Sequence, residues 1–344
     1  MISVLLAEKS NETREALAAL LRSEPDFAVL AETADGLRAV SLAKELRPDL
    51  IVMGARLSRL NGFETTKQIM TEAPAPIVIV SGHSENRDVE TSIRALRMGA
   101  LAVLSGPFGE EERARIVAKL KAMAGVKVVR RWRERLLPAP PEPRPLFGAR
   151  TLPRVVAIAA STGGPAALQT IFTALPGNFP APILAVQHIA PGFIEGLVAW
   201  LNADCDLKVK IAEHGEALKP RTIYFAPDNA HLALEDRVSI ALSRADPVLG
   251  FRPSANVLFE SVARAYGAAA LNLILTGMGQ DGVEGLRLAR ARGGKIIAQD
   301  EASSVVFGMP QAAIKAGLAG QILSLSQIAA GLAAFVQIPE GANP

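Results

Sequence analysis

The sequence predicts an α/β protein built from two doubly wound domains, an N-terminal (βα)5 domain and a C-terminal domain with a mostly parallel sheet and an antiparallel hairpin. Three observations predict it. Short apolar or β-branched runs alternate with amphipathic segments from residue 2 to residue 123, a basic and proline-rich stretch interrupts the alternation, and the alternation resumes at residue 155. The 344 residues also exceed the roughly 100–200 of a usual single domain.

In the first domain, strands are predicted at 2–6, 28–33, 50–53, 77–80 and 101–104, and helices at 11–22, 37–46, 62–72, 86–98 and 110–123. Ser10 is the expected N-cap of the first helix, whose Leu17, Leu20 and Leu21 recur at helical spacing. This domain is bounded at 1–123. The segment 124–152 contains RRWRER and then five prolines between Pro138 and Pro145, which no helix can continue through, so it reads as an extended, semi-rigid linker.

The second domain is bounded at 153–338. Its predicted order is strand 155–160, helix 166–175, strand 183–187, helix 193–202, short strands around Val209, Ile223 and 232–242, helix 254–266, strand 271–276, helix 282–291, strand 295–298 and closing helices. Lys219-Pro220 and Pro227-Asp228-Asn229 suggest that the middle segment is an antiparallel hairpin added to the parallel sheet.

Composition narrows the setting. Hydrophobic residues at 49%, charged residues at 21% and a net charge of +3 describe an ordinary globular chain, and a charge this mild does not predict nucleic-acid binding. The single cysteine, Cys205, excludes an internal disulfide and suits a reducing cytoplasm; no Cys/His cluster has zinc spacing, and neither a metal nor a cofactor is expected. Residues 155–187 carry no charge, but GGP and PGNFP divide them into strand, helix and strand, so no membrane insertion is expected.

Three polar residues fall at predicted strand ends: Ser161 in AASTGGP, His188 after the strand 183–187, and Asp281 after the strand 271–276. In open α/β sheets the carboxyl ends of the strands form one ligand-binding edge. A serine hydroxyl needs a base to take its proton, an imidazole does so at neutral pH, and a carboxylate on the other ring nitrogen fixes the tautomer. Backbone N–H groups of Gly277-Met278-Gly279 can face a developing oxyanion. Each residue also has a structural reading: Ser161 as a helix cap or phosphate contact, His188 as a hydrogen-bonded core histidine, Asp281 as a helix cap. The G-x-S-x-G motif of common hydrolases is absent, and spacing alone leaves catalysis and structure evenly placed. His214 and His231 read as structural, and Arg252 as either a pocket residue or a loop anchor.

The blocks AASTGGP, AVQHIAPGF, FRPSANVLFESVA, ILTGMGQDG and IAQDEASSVVFGMPQAAI resemble, in order, the catalytic domain of the CheB family of chemotaxis protein-glutamate methylesterases. The resemblance implies a serine hydrolase in the cytoplasm that cleaves glutamate γ-methyl esters on the cytoplasmic helices of methyl-accepting chemoreceptors and that deamidates particular receptor glutamines. It implies Ser161 as nucleophile, His188 as base and Asp281 as orienting acid, with Thr162 and the Met278 N–H beside the oxyanion. Asn256 stands where the family often has an acidic residue and is expected to alter the pocket wall.

Residues 1–123 resemble a response-regulator receiver, and the resemblance fails at the phosphorylation site. The motif positions carry Gly54 for the phosphoacceptor aspartate, Glu8 and Lys9 for the acidic pair that holds Mg²⁺, and Gly106 for the lysine; Ser81 keeps the switch hydroxyl. Glycine offers no oxygen to a phosphoryl group, and one carboxylate is a poor site for a hard octahedral cation. Asp49 lies at the other end of its strand, too far away to substitute. An ion pair between Lys9 and Glu8 is expected to fill the vacated site. The expectation is a folded pseudo-receiver that is not phosphorylated and that offers a surface to other signalling proteins. Against the hydrolase stands one alternative, a non-catalytic adaptor that binds chemoreceptors or other signalling proteins without turnover.

Overall fold

The computed structural model describes residues 1–81, 86–105, 110–126 and 153–333, and the chain divides into two compact units. Gly106, most of the predicted linker, and the end of the predicted C-terminal domain at 334–338 lie outside the described residues.

The first unit runs β1 (Ile2–Ala7), α1 (Asn11–Arg22), β2 (Phe27–Thr33), α2 (Gly36–Leu46), β3 (Leu50–Gly54), α3 (Gly62–Glu72), β4 (Ile77–Ser81), α4 (Asn86–Arg97), β5 (Ala102–Ser105) and α5 (Glu110–Ala124). Its parallel sheet has the order β2-β1-β3-β4-β5. Every residue of β3 and β4 is buried, as central parallel strands covered on both faces require, whereas β2 at the edge is buried only at Phe27 and half-buried or exposed elsewhere. Helix starts are capped as the sequence suggests: Ser10 accepts from the Thr13 N–H at 3.3 Å, Asp35 from Arg38 at 3.1 Å and Asn61 from Glu64 at 2.9 Å.

The second unit opens with β6 (Val155–Ala160), α6 (Gly164–Phe172), β7 (Ile183–Gln187), α7 (Ile194–Asp204), β8 (Lys208–Ile211) and β9 (Thr222–Phe225). It continues through β10 (His231–Leu234), β11 (Ile240–Ser243), α8 (Ala255–Tyr266), β12 (Ala270–Ile274), α9 (Val283–Ala291), β13 (Lys295–Gln299), α10 (Met309–Lys315), β14 (Gln321–Leu323) and α11 (Leu325–Ala333). The seven-stranded sheet has the order β14-β13-β12-β6-β7-β9-β8, with every pair parallel.

The hairpin is present but differs from the expectation. Strands β10 and β11 pair antiparallel as a separate two-stranded sheet, while β8 and β9, on either side of Lys219-Pro220, are parallel neighbours. Proline at 220 ends one segment without reversing the strand direction, because the connection from β8 to β9 first leaves the sheet to bond the hairpin, Gly215 donating to the Ile240 carbonyl and Leu218 to the Val238 carbonyl. Strand β14 is a further difference: three residues with only partial burial give too short an apolar run to read from sequence.

Both sheets reverse their winding next to the first strand of the unit. In the first unit the chain moves from β1 to β2 on one side and to β3 on the other; in the second it moves from β6 towards β7, β9 and β8, then returns to β12. In open α/β sheets ligands bind outside the carboxyl ends of the strands at such switch points, which here fall between β1 and β3 and between β6 and β12.

Candidate active site

Strand β6 reads VVAIAA and is fully buried, so it can be followed at once by a polar residue only where the sheet ends. Ser161 is that residue. Its N–H donates to the Thr276 carbonyl at 3.0 Å, which extends the β6–β12 ladder by one step, and its carbonyl accepts from Gly164 at 2.8 Å, which closes the turn into α6. Gly163 adopts φ 77° at the start of that helix, a conformation that a side chain would strain, and a Cβ there would overlap Val305. The serine thus stands on a sharp strand-to-helix turn at the switch point.

His188 is placed by register. Ala160 of β6 pairs with Gln187 of β7, and the His188 N–H donates to the Ala160 carbonyl at 2.9 Å, so Ser161 and His188 are the next residues on neighbouring strands. Adjacent strands lie about 4.8 Å apart, so the register brings the hydroxyl-bearing and imidazole-bearing residues side by side. Gln187 ties the two together, its side-chain amide donating to the Ser161 carbonyl at 2.7 Å and the His188 carbonyl at 2.9 Å.

Asp281 follows β12 and is 1% exposed. Its Oδ1 accepts from the Ser254 hydroxyl at 2.8 Å and the Asn256 N–H at 3.1 Å; its Oδ2 accepts from the Ala255 N–H at 2.7 Å and lies 3.0 Å from His188 Nε2. The carboxylate therefore caps α8, not its own helix, and draws on the positive end of that helix. Burial pushes its carboxyl up, but His188 beside it, the Ala255 N–H and the Ser254 hydroxyl outweigh burial and hold it below the ordinary aspartate range. The His188 Nε2–H is off the line of a good hydrogen bond, and the ring's Nδ1 has no partner among the described residues. Catalytic hydrogen bonds commonly sit this loosely before substrate arrives. With Nε2 turned to the acid, Nδ1 is the ring nitrogen left without a partner among the described residues.

The remaining sequence candidates separate cleanly. Among the described residues neither the Thr162 N–H nor the Met278 N–H donates to a protein acceptor, and the Thr162 carbonyl accepts from the Thr276 hydroxyl at 2.8 Å. His231 is structural, Nε2 lying 3.1 Å from the Asp246 carbonyl and Nδ1 accepting from the Ser254 N–H; His214 accepts from the Leu242 N–H. Arg252 anchors the loop through Asn229 and the carbonyls of Arg244 and Ala245. Asn256 does not reshape the pocket wall: its side-chain oxygen accepts from Gly282 and Gly285, both at 3.0 Å, so it caps α9 while Asp281 caps α8. Cys205 is no rival nucleophile, because burial, helped by Asp204 and Asp206, pushes its thiol up to about 11.

Phe251 and Gln187 carried no readable signal, and Gly277 was read only as a backbone donor to the oxyanion, whereas its N–H donates to the Val306 carbonyl at 2.9 Å. Phe251 stacks on the His188 ring with centroids 4.2 Å apart and planes at 13°. Gln187 bridges the two strand ends, and Gly277 is needed because a Cβ there would lie 2.6 Å from the Ser161 Cβ. Gln187 sits beside a candidate histidine and Gly277 in a glycine pair, but their roles depend on which strands become neighbours.

In the first unit, Glu8, Gly54 and Ser81 lie at the carboxyl ends of β1, β3 and β4. A Cβ on Gly54 would overlap the Glu8 carboxylate, so that carboxylate occupies the space a side chain at position 54 would need. The expected ion pair with Lys9 does not form: Lys9 is exposed, and Glu8 Oε1 instead accepts from the Ser10 N–H at 2.7 Å. A backbone donor two residues on holds the carboxylate without the entropy cost of ordering a lysine chain. The residues do not fit Mg²⁺, since one carboxylate bonded to the backbone, a lysine and a glycine cannot supply an octahedral oxygen set. Asp49 is held at the opposite end of β3 by the Ser3 hydroxyl and N–H.

Burial pushes the Glu8 carboxyl up, despite opposition from the Ser10 and Lys9 N–H groups, Arg14 and Arg56. A carboxyl raised by folding binds more protons in the folded state, so stability falls as pH rises from the ordinary glutamate value through the raised one. Glu8→Gln is therefore expected to raise the thermal midpoint of the first unit at about pH 8 and to change it little at about pH 4. Calorimetry at both pH values reads this, and an equal gain at both would discard burial as the cause.

The model of the CheB methylesterase family matches residues 156–332, and that of the response regulator receiver domain matches residues 4–134. The chain is 50% identical over 339 residues to "protein-glutamate methylesterase/protein-glutamine glutaminase 4" of Myxococcus xanthus (strain DK1622), covering 96% of each chain. It is 44% identical over 346 residues to the protein-glutamate methylesterase/protein-glutamine glutaminase of Nitrosospira multiformis, covering 98% of this chain and 97% of that one. The crystal structure of the Thermotoga maritima CheB methylesterase catalytic domain matches with a TM-score of 0.52 and 39% identity, over 53% of this chain and 98% of that chain.

Proposed function

The chain belongs to the CheB methylesterase family, and from that premise we propose that it is a serine hydrolase that removes methyl groups from glutamate γ-methyl esters on the cytoplasmic helices of chemoreceptors. The observation that carries this reading is the meeting of Ser161 and His188 on adjacent strand ends with the Asp281 carboxylate 3.0 Å from the imidazole.

Ser161 Oγ attacks the ester carbonyl carbon while His188 Nδ1 takes its proton. Asp281 holds Nε2–H and stabilises the imidazolium as it forms. The N–H groups of Thr162 and Met278 receive the oxyanion, each such donor being worth about 3 kcal/mol. Collapse expels methanol, which takes the proton from His188, and water then cleaves the acyl-enzyme to leave glutamate. A glutamine side chain follows the same course with ammonia as leaving group, the deamidation named for the relatives. The one cysteine suits work in the cytoplasm, and no described helix is long and apolar enough to cross a membrane.

Full-length protein incubated with methylated receptor is expected to release methanol. Receptor binding without methanol release would favour the adaptor instead.

The receiver-like unit is proposed to be silent towards phosphate, which the Glu8 carboxylate over Gly54 supports. Incubation with a small phosphoryl donor and Mg²⁺ is expected to leave the intact mass unchanged. A stable gain of one phosphoryl group on this unit would reject the proposal. That surface then remains for other signalling proteins to occupy.

A further inference from the structure

Beside the catalytic histidine the chain makes a tight turn whose conformation its sequence does not favour. Val248 and Phe251 exchange both backbone hydrogen bonds, at 3.1 and 3.0 Å, around a two-residue tip of Leu249 and Gly250. The two tip residues have φ 52° and 79°, the pattern of a type I′ turn, which selects Asn-Gly because both centres must be left-handed. Leucine is poorly suited to the first position, and Leu249 is the one apolar non-glycine residue with positive φ among the described residues. It is also 58% exposed, so it gains no burial in return.

The loop beneath it is firmly held. Arg252 bonds Asn229 Oδ1 through two nitrogens, at 2.8 and 2.6 Å, and the carbonyls of Arg244 and Ala245 at 3.1 Å, while His231 joins the Asp246 carbonyl to the Ser254 N–H. The strained leucine is therefore presented on a fixed base, and persistent strain of this kind gathers at functional contacts. Phe251, at the foot of the turn, is the ring stacked on His188. Two residues of chain span at most about 7 Å, close to the 5.4 Å rise of one helical turn.

We infer that Leu249 is a docking contact that packs against the apolar face of the substrate helix one turn from the esterified glutamate. The inference rests on the esterase reading above and adds the chemistry of the partner: a helix with an apolar residue three or four positions from the ester, which shares its face. A polar tip residue would fit the turn better and grip such a helix less well, so leucine at 249 gives up local stability for a contact made only on binding.

Two probes separate this from a purely structural role. One is N-acetyl-glutamate γ-methyl ester N-methylamide; the other is an alanine-rich helical peptide with one glutamate γ-methyl ester and a leucine one turn on either side. In full-length protein, Leu249→Asn and Leu249→Gly are expected to raise KM for the peptide about tenfold, the value of one lost leucine contact, with kcat within about twofold. Turnover of the small ester is the reference for an intact triad, and the thermal midpoint is expected to rise as the turn relaxes. Anisotropy of labelled peptide on Ser161→Ala protein, with and without Leu249→Asn, reads docking apart from chemistry. An unchanged peptide affinity, or an equal loss with both substrates, overturns the inference. Absence of hydrolysis by the unaltered protein defeats the esterase reading instead, and the anisotropy arm still decides the docking.

Discussion

Ser161→Ala is expected to lower methanol release from methylated receptor by at least about 10⁴-fold with little change in receptor affinity or stability. Removal of a serine nucleophile leaves only the residual acceleration of oxyanion donors and binding, and losses near 10⁶-fold are known where base and nucleophile act as a unit. The fold has little stake in the hydroxyl: the hydrogen bonds that shape the turn run through the Ser161 N–H and carbonyl, to Thr276, Gly164 and Gln187, and alanine keeps them all. Alanine also keeps the Cβ that already excludes a side chain at Gly277. A time course of methanol release with the two proteins at equal concentration gives the ratio. Equal release would remove Ser161 from the chemistry, and a collapse in thermal stability would mean that the side chain carries structural weight not visible in its contacts.

That separation of backbone from side chain also explains what could be read from the sequence. Strand β6 and the turn after it were legible because VVAIAA and GGP are local signals, and Ser161 lies where they meet. Ser10 was legible as a cap for the same reason. The joining of Ser161 to His188 was only half legible: both strand ends were visible, but whether β6 and β7 are neighbours depends on sheet order, which no local pattern carries. Asn256 and Asp281 mark the limit. Asp281 reads as a cap of the helix that follows it and Asn256 as part of the pocket wall, yet Asp281 caps α8 and Asn256 caps α9, because the two helices pack closely enough for Gly285 to leave no room for a Cβ beside Asn256. At the receiver-like site the residue types at Gly54 and Lys9 carried the expectation of no phosphorylation, whereas the folding of Glu8 over Gly54 depends on how β1 and β3 lie together, which no local pattern carries.

The second large effect is expected at Asp281, where two variants should fail in different ways. Asp281→Ala leaves the Ser254 hydroxyl and the N–H groups of Ala255 and Asn256 without their carboxylate in a buried site, at a cost of about 3–5 kcal/mol. Asp281→Asn keeps one acceptor for the start of α8 but places an amide where Oδ2 now lies between the Ala255 N–H and His188 Nε2. If that amide donates to Nε2, the imidazole proton moves to Nδ1, the nitrogen that must accept from Ser161, and a wrong tautomer of this kind costs about 10⁴-fold in kcat. Acid response then distinguishes the cause. Folding depresses the Asp281 carboxyl below its ordinary 3.8, so its contribution to stability is complete above that value and is lost as pH falls through the lower, folded one. The asparagine variant has no such carboxyl, so its stability deficit relative to the unaltered protein should be largest near neutrality and shrink in acid. Denaturant titrations across that range, paired with methanol release at neutral pH, test both halves. A deficit independent of pH, or an asparagine variant that retains turnover, would strip Asp281 of its role as the charged partner of His188.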